Sequence, residues 1–305
     1  MLTPDLSVNL AGVTLKNPIV TASGTFGFGR EYNNFYDLSN LGAICVKGLT
    51  LKPRLGNPPP RIAETPSGIL NSVGLQNPGI DAFIADELPF LRKFDTKIIA
   101  NISGNTLEDY LEITERASDA DVDMLELNIS CPNVKAGGMA FGTSCESVSN
   151  LVSQVRKVCK KPLIVKLSPN VTDIAEIARS AEAAGADALS LINTLLGMRI
   201  DVRTRRPILK NNMGGMSGPA VLPIAVRMIW QVSQAVNLPI LGMGGVSRGV
   251  DAAELMLAGA TAVAVGTACF SDPMAPVRVR DELSDYLMQN GIAHVNELTG
   301  TVIPN

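Results

Sequence analysis

Short apolar runs rich in β-formers alternate with helical spacing along the chain. The apolar runs are Pro18 to Ala22, Ala43 to Lys47, Lys97 to Ile102, Met124 to Ile129, Leu163 to Leu167, Ala188 to Asn193, Pro239 to Met243 and Ala262 to Gly266. Runs this short, bounded by polar or glycine residues, read as strands buried on both faces, the pattern of a parallel sheet. Between the later runs, apolar positions recur at helical spacing over Thr172 to Ala184, Pro223 to Val236 and Val250 to Ala258. Thr172 and Asp251 stand at helix starts, and Gly185 and Gly259 at helix ends. Ala183-Ala-Gly-Ala-Asp-Ala-Leu189 is echoed by Leu257-Ala-Gly-Ala-Thr-Ala-Val263, each a helix stopping on glycine before a buried strand. Eight consecutive βα units with right-handed crossovers predict a closed (β/α)8 TIM barrel, an open doubly wound sheet being the alternative. Three longer connections, Thr50 to Gly79, Pro132 to Cys145 and Gly197 to Gly218, each follow a strand and are expected to crowd one mouth of the barrel as lids or binding loops.

Nothing in the composition divides the chain, so its 305 residues are expected to form a single domain, 1–305. A net charge of -3 argues against a nucleic-acid surface, and no apolar run reaches the roughly 18 residues of a membrane span. Cys45, Cys131, Cys145, Cys159 and Cys269 are odd in number and contain no CxxC pair, which fits reduced thiols in the cytoplasm and offers no iron–sulfur spacing. With a single histidine, His294, neither a histidine metal site nor a Ser-His-Asp triad is expected, and no metal is assigned.

In a β/α barrel, chemistry gathers at the carboxyl ends of the strands. Those ends read Ser23-Gly24, Lys47-Gly48, Asn101, Asn128 with Cys131, Lys166, Asn193-Thr194, Gly244-Gly245 and Gly266-Thr267. Buried polar groups need partners, which a polar ligand supplies. Glycines closing strands seven and eight suit a phosphate held by backbone N–H groups, to which Gly218 adds another amide; tight strand-to-helix packing is the other reading. Lys47 and Lys166 are costly to bury unpaired, and each suits a substrate carboxylate, a reduced flavin ring or a Schiff base. Cys131 is either a small buried hydrophobe or a thiol able to take a proton from carbon.

Ten motifs in order over about Leu6 to Asp285 carry a resemblance, among them Thr21-Ala-Ser-Gly24, Val46-Lys-Gly48, Gly56-Asn-Pro-Pro-Pro-Arg61, Asn71-Ser-Val-Gly-Leu-Gln-Asn77, Asn128-Ile-Ser-Cys-Pro-Asn133, Val165-Lys-Leu-Ser-Pro169 and Gly242-Met-Gly-Gly245. The chain resembles class 1 dihydroorotate dehydrogenases, and most closely the type B catalytic subunit. That resemblance implies oxidation of (S)-dihydroorotate to orotate in pyrimidine (UMP) synthesis, with Cys131 as base; the class 2 relatives carry serine there. It implies one FMN, held by Ser23, Lys47, Gly48, Asn101, Asn128, Lys166, Ile192, Gly218, Gly244, Gly245, Gly266 and Thr267. Substrate would be held by Lys47, Asn71, Ser72, Val73, Gly74, Leu75, Asn128, Asn193 and Thr194, with the stretch Pro132 to Cys145 closing over Cys131.

Gln76 and the stretch Thr204 to Gly218 are similar to type B rather than the fumarate-using type A. This implies a partner subunit carrying FAD and an iron–sulfur cluster that passes electrons to NAD, in a heterotetramer of two catalytic and two electron-transfer subunits. The arginines from Arg199 to Arg206 are either a partner surface or a solvated lid. The rival reading on the same barrel is a lyase or isomerase using Lys47 or Lys166.

Overall fold

A computed structural model describes residues 3–129 and 141–305. Cys131 and most of the expected lid, 132–140, lie outside the described residues. Eight parallel strands close into a barrel: β1 (Ile19–Thr21), β2 (Ala43–Cys45), β3 (Lys97–Ile102), β4 (Met124–Asn128), β5 (Leu163–Lys166), β6 (Ala188–Leu191), β7 (Ile240–Met243) and β8 (Ala262–Val265). Each pairs with its neighbours in chain order, and β8 returns to β1 through Val263↔Ile19 and Ala264↔Val20. All eight expected strands are present, and nearly every residue in them is buried, because helices cover the outside while side chains fill the inside.

The long outer helices are α1 (Leu107–Asp119), α2 (Cys145–Val158), α3 (Ile174–Ala183), α4 (Leu222–Ser233), α5 (Gly249–Leu257) and α6 (Ala275–Gln289). Their starts are chemically marked. Thr106 and Asp109 cap α1 reciprocally, and Ser144 accepts from Ser147 N at the head of α2. Asp173, not Thr172, caps α3, accepting from Ala175 N and Glu176 N. Asp251 stands inside α5 rather than before it, its carboxylate reaching back to Ser247 N and Arg248 N. Helix α4 ends at Ser233, short of Val236.

Two of the longer connections are not simple loops. Strands Ile62–Thr65 and Gly68–Asn71, inserted after β2, join Leu195–Met198 and Met213–Ser217, inserted after β6, in one four-stranded antiparallel sheet. The seam between the insertions is Asn71↔Gly215, Leu70↔Met216 and Ile69↔Ser217. Arg199 Nη1 adds a bond to Glu64 O at 2.7 Å. A hairpin of Val8–Leu10 and Val13–Leu15 precedes β1, and segment 80–91 is helical. Among the described residues, no helix is long and apolar enough to cross a membrane.

Candidate active site

The strand ends and the inserted sheet enclose one cavity of about 1380 Å³. Every described residue expected from the sequence to hold cofactor or substrate lines it, from Ser23 after β1 to Gly266 and Thr267 after β8. All eight strands contribute: Lys47 and Gly48 after β2, Asn101 on β3, Asn128 on β4, Lys166 on β5, Ile192, Asn193 and Thr194 after β6, and Gly244 and Gly245 after β7. Gly218 and the loop Asn71, Ser72, Val73, Gly74 and Leu75 enter from the inserted sheet. The position of Cys131 relative to these groups falls outside the described residues.

Hydrogen bonds fix the wall. The Tyr110 hydroxyl of α1 donates to Asn128 O at 2.8 Å and anchors the end of β4. The Ser72 hydroxyl accepts from Asn211 Nδ2 at 2.9 Å and Asn57 Nδ2 at 3.3 Å, tying the cavity-lining loop 71–75 to both insertions. Asn71 Nδ2 donates to Gly215 O at 3.3 Å, and Thr267 Oγ1 to Ser217 Oγ at 2.8 Å, joining the sheet to the end of β8. The Lys47 ammonium lies over Gly24, where an added Cβ would sit 3.7 Å from Nζ.

The glycines after β7 serve packing as well as access. A Cβ on Gly245, whose φ is +84°, would meet Leu222 N at 2.7 Å, and one on Gly244 would meet Ala225 Cβ at 2.9 Å. The missing side chain of Gly245 thus faces α4, and that of Gly244 faces α4 and Ile192. Packing and a cavity-lining backbone coexist at these positions.

One residue of this region escaped the sequence reading. Glu126 on β4 is fully buried, and its carboxylate accepts from Ser190 Oγ at 2.7 Å, from Cys45 Sγ at 3.2 Å and from Asn101 Nδ2, with Lys166 Nζ at 3.6 Å. The anionic partner that Lys166 requires is therefore within the chain. Burial pushes the Glu126 carboxyl up, but the Lys166 charge and three hydrogen bonds outweigh it and hold it below the ordinary glutamate range. Burial, with the Glu126 charge, pushes the Cys45 thiol well up, so it stays a proton donor to that carboxylate. The available signal was a lone carboxylate in Met124-Leu-Glu-Leu-Asn128, a strand otherwise apolar until its end.

Among the described residues no group of three or more His, Cys, Asp or Glu could hold a metal ion. Cys45, Cys145, Cys159 and Cys269 are free thiols.

Comparison with known proteins agrees with this architecture. The family described as dihydroorotate dehydrogenase matches residues 5–287. The protein named dihydroorotate dehydrogenase B (NAD(+)), catalytic subunit, of Alkaliphilus oremlandii is 59% identical over 296 residues, covering 97% of this chain and 98% of its own. Its namesake from Geotalea daltonii is 57% identical over 303 residues, with 99% of each chain covered. A solved DHODH from Eimeria tenella, in complex with ferulenol, superposes with a TM-score of 0.81 at 26% identity, covering 97% of this chain and 88% of that one. With a family match across nearly its whole length and relatives more than half identical, this chain belongs to the dihydroorotate dehydrogenase family.

Proposed function

We propose that this barrel oxidises (S)-dihydroorotate to orotate in the synthesis of UMP, as one FMN-binding domain spanning 1–305 that delivers electrons to NAD through a companion subunit. The observation that carries the reading is the convergence of all eight strand ends on a single cavity in a chain of this family. Its volume, about 1380 Å³, exceeds the ~300–1,000 Å³ of a one-ligand pocket and suits a flavin nucleotide with a planar heterocycle beside it.

The residues fit such a flavin. Asn101 Oδ1 is buried without a hydrogen-bond partner among the described residues, an acceptor suited to a ring N–H. Lys166 brings a cation to the cavity wall, and Gly218, Gly244, Gly245, Gly266 and Thr267 offer backbone amides and a hydroxyl to a phosphate. Ser23, Lys47, Gly48, Asn128 and Ile192 complete the cradle. When bound, FMN supplies the hydride acceptor.

The remaining work belongs to side chains. Cys131, as thiolate, takes the proton from the substrate carbon next to the carbonyl. Lys47 meets the substrate carboxylate, and the amides of Asn71, Asn128 and Asn193 pair with the pyrimidine's donors and acceptors without adding charge. Ser72, Val73, Gly74, Leu75 and Thr194 shape the space around it. A Schiff-base role for Lys166 is disfavoured, since an amine engaged by a buried carboxylate lacks the environment that activates a nucleophilic lysine.

Relatives named as catalytic subunits support a second subunit. In this reading it carries FAD and an iron–sulfur cluster, in a cytoplasmic heterotetramer of two catalytic and two electron-transfer chains. Purified with FMN, the chain is expected to show flavin absorption and to reduce an artificial dye, but not NAD, with dihydroorotate. Absence of flavin bands overturns the dehydrogenase reading, and NAD reduction by the chain alone overturns the companion subunit.

A further inference from the structure

Behind the cavity lies a charged layer that this chemistry leaves without a role. Glu126 joins side chains from four other barrel strands: Cys45 of β2, Asn101 of β3, Lys166 of β5 and Ser190 of β6. Interior layers of such barrels are ordinarily branched and apolar. A buried ion pair is, moreover, often no more stabilising than apolar residues of equal volume. A carboxylate placed here calls for a reason other than stability.

Its neighbours supply one. Lys166 and Asn101 line the cavity, whereas Glu126 does not, so it meets a ligand only through them. By accepting from Asn101 Nδ2, Glu126 fixes which way that amide points, leaving Oδ1 beside Gly48 at the cavity wall. Its charge also opposes that of Lys166. In a low-dielectric interior a fixed charge acts beyond its contacts, and reduced flavin is the more electron-rich form.

Resting on the flavin reading, we propose that Glu126 is a positioning residue for the cofactor. It holds the Lys166 ammonium and the Asn101 amide in place at the wall and, as a fixed negative charge behind them, limits how strongly the chain favours reduced over oxidised FMN.

The test is anaerobic reduction of FMN-loaded protein against a reference dye, for wild type, Glu126→Gln, Glu126→Met and Glu126→Asp. Both neutral variants are expected to shift the ratio of reduced to oxidised FMN affinity upward at least tenfold, about 30 mV for a two-electron couple. Glu126→Asp is expected to stay within threefold of wild type. Glu126→Met leaves no buried amide to satisfy, so folded protein from either neutral variant carries the test. A shift below tenfold, or of opposite sign, overturns the proposal while the flavin reading stands. Failure of the wild-type chain to bind FMN overturns both.

Discussion

Gly12 and Gly245 share a positive φ and differ in what surrounds them, so the same substitution separates strain from packing. Their φ values are +82° and +84°. An alanine in this left-handed region costs roughly 1–2 kcal/mol at either site. At Gly12, in the hairpin before β1, an added Cβ meets nothing within 4 Å, and the strain is the whole effect. At Gly245 it would lie 2.6 Å from Leu222 Cβ and 2.7 Å from Leu222 N, at the start of α4. Non-bonded carbons need about 3.5 Å, so helix or strand end must yield by most of an ångström, and overpacking of this kind adds roughly 1–3 kcal/mol. At about 1.6 °C per kcal/mol for a chain of 305 residues, Gly12→Ala is expected to lower the melting temperature by about 2–3 °C and Gly245→Ala by about 3–8 °C. Thermal melts of the FMN-free proteins measure this difference directly. FMN titration should show weakened binding for Gly245→Ala alone, because its amide moves with the strand end. Equal melting shifts, or unchanged FMN affinity in a destabilised Gly245→Ala, would refute the reasoning.

Three further outcomes are expected. Cys131→Ala should keep its yellow colour yet lose at least about a hundredfold in dihydroorotate oxidation at neutral pH, measured by dye reduction. Lys166→Met leaves the Glu126 carboxylate buried without its cation, a loss of roughly 3–5 kcal/mol, and moves its pKa upward from the wild-type position. In wild type the Glu126 pKa is depressed, so its contribution is present above the ordinary glutamate value of 4.5 and is lost only as pH falls through the lower folded value. In the variant only three hydrogen bonds oppose burial, so the Glu126 pKa lies above its wild-type position, and the melting-temperature deficit against wild type should narrow as pH falls. Ser72→Ala removes the acceptor shared by Asn57 and Asn211 and should raise KM for dihydroorotate severalfold with kcat little changed, as steady-state kinetics would report.

The barrel was legible because each strand is a continuous apolar run closed by a polar or glycine residue, and a parallel strand buried on both faces demands that run. The same logic brought Lys47, Asn101, Asn128, Lys166 and Asn193 forward as a cluster, since strand ends in this fold share one mouth. The inserted sheet was not legible. Met213–Ser217 contains two glycines and pairs with Gly68–Asn71, more than a hundred residues away, so neither periodicity nor turn chemistry marks it. Helix starts were misplaced by small margins because adjacent residues such as Thr172 and Asp173 can both cap, and only geometry decides. Glu126 was passed over because it sits within a strand rather than at its end, where a search for chemistry is aimed.

The seam from Asn71 to Gly215 has a consequence for engineering and for inheritance. The two insertions on this barrel form a single structural unit: a chimera that imports one from a distant relative without the other leaves half a ladder unpaired above the cavity. Grafts meant to alter specificity should carry 48–79 and 195–218 together, and natural length changes in one are expected to appear alongside changes in its counterpart.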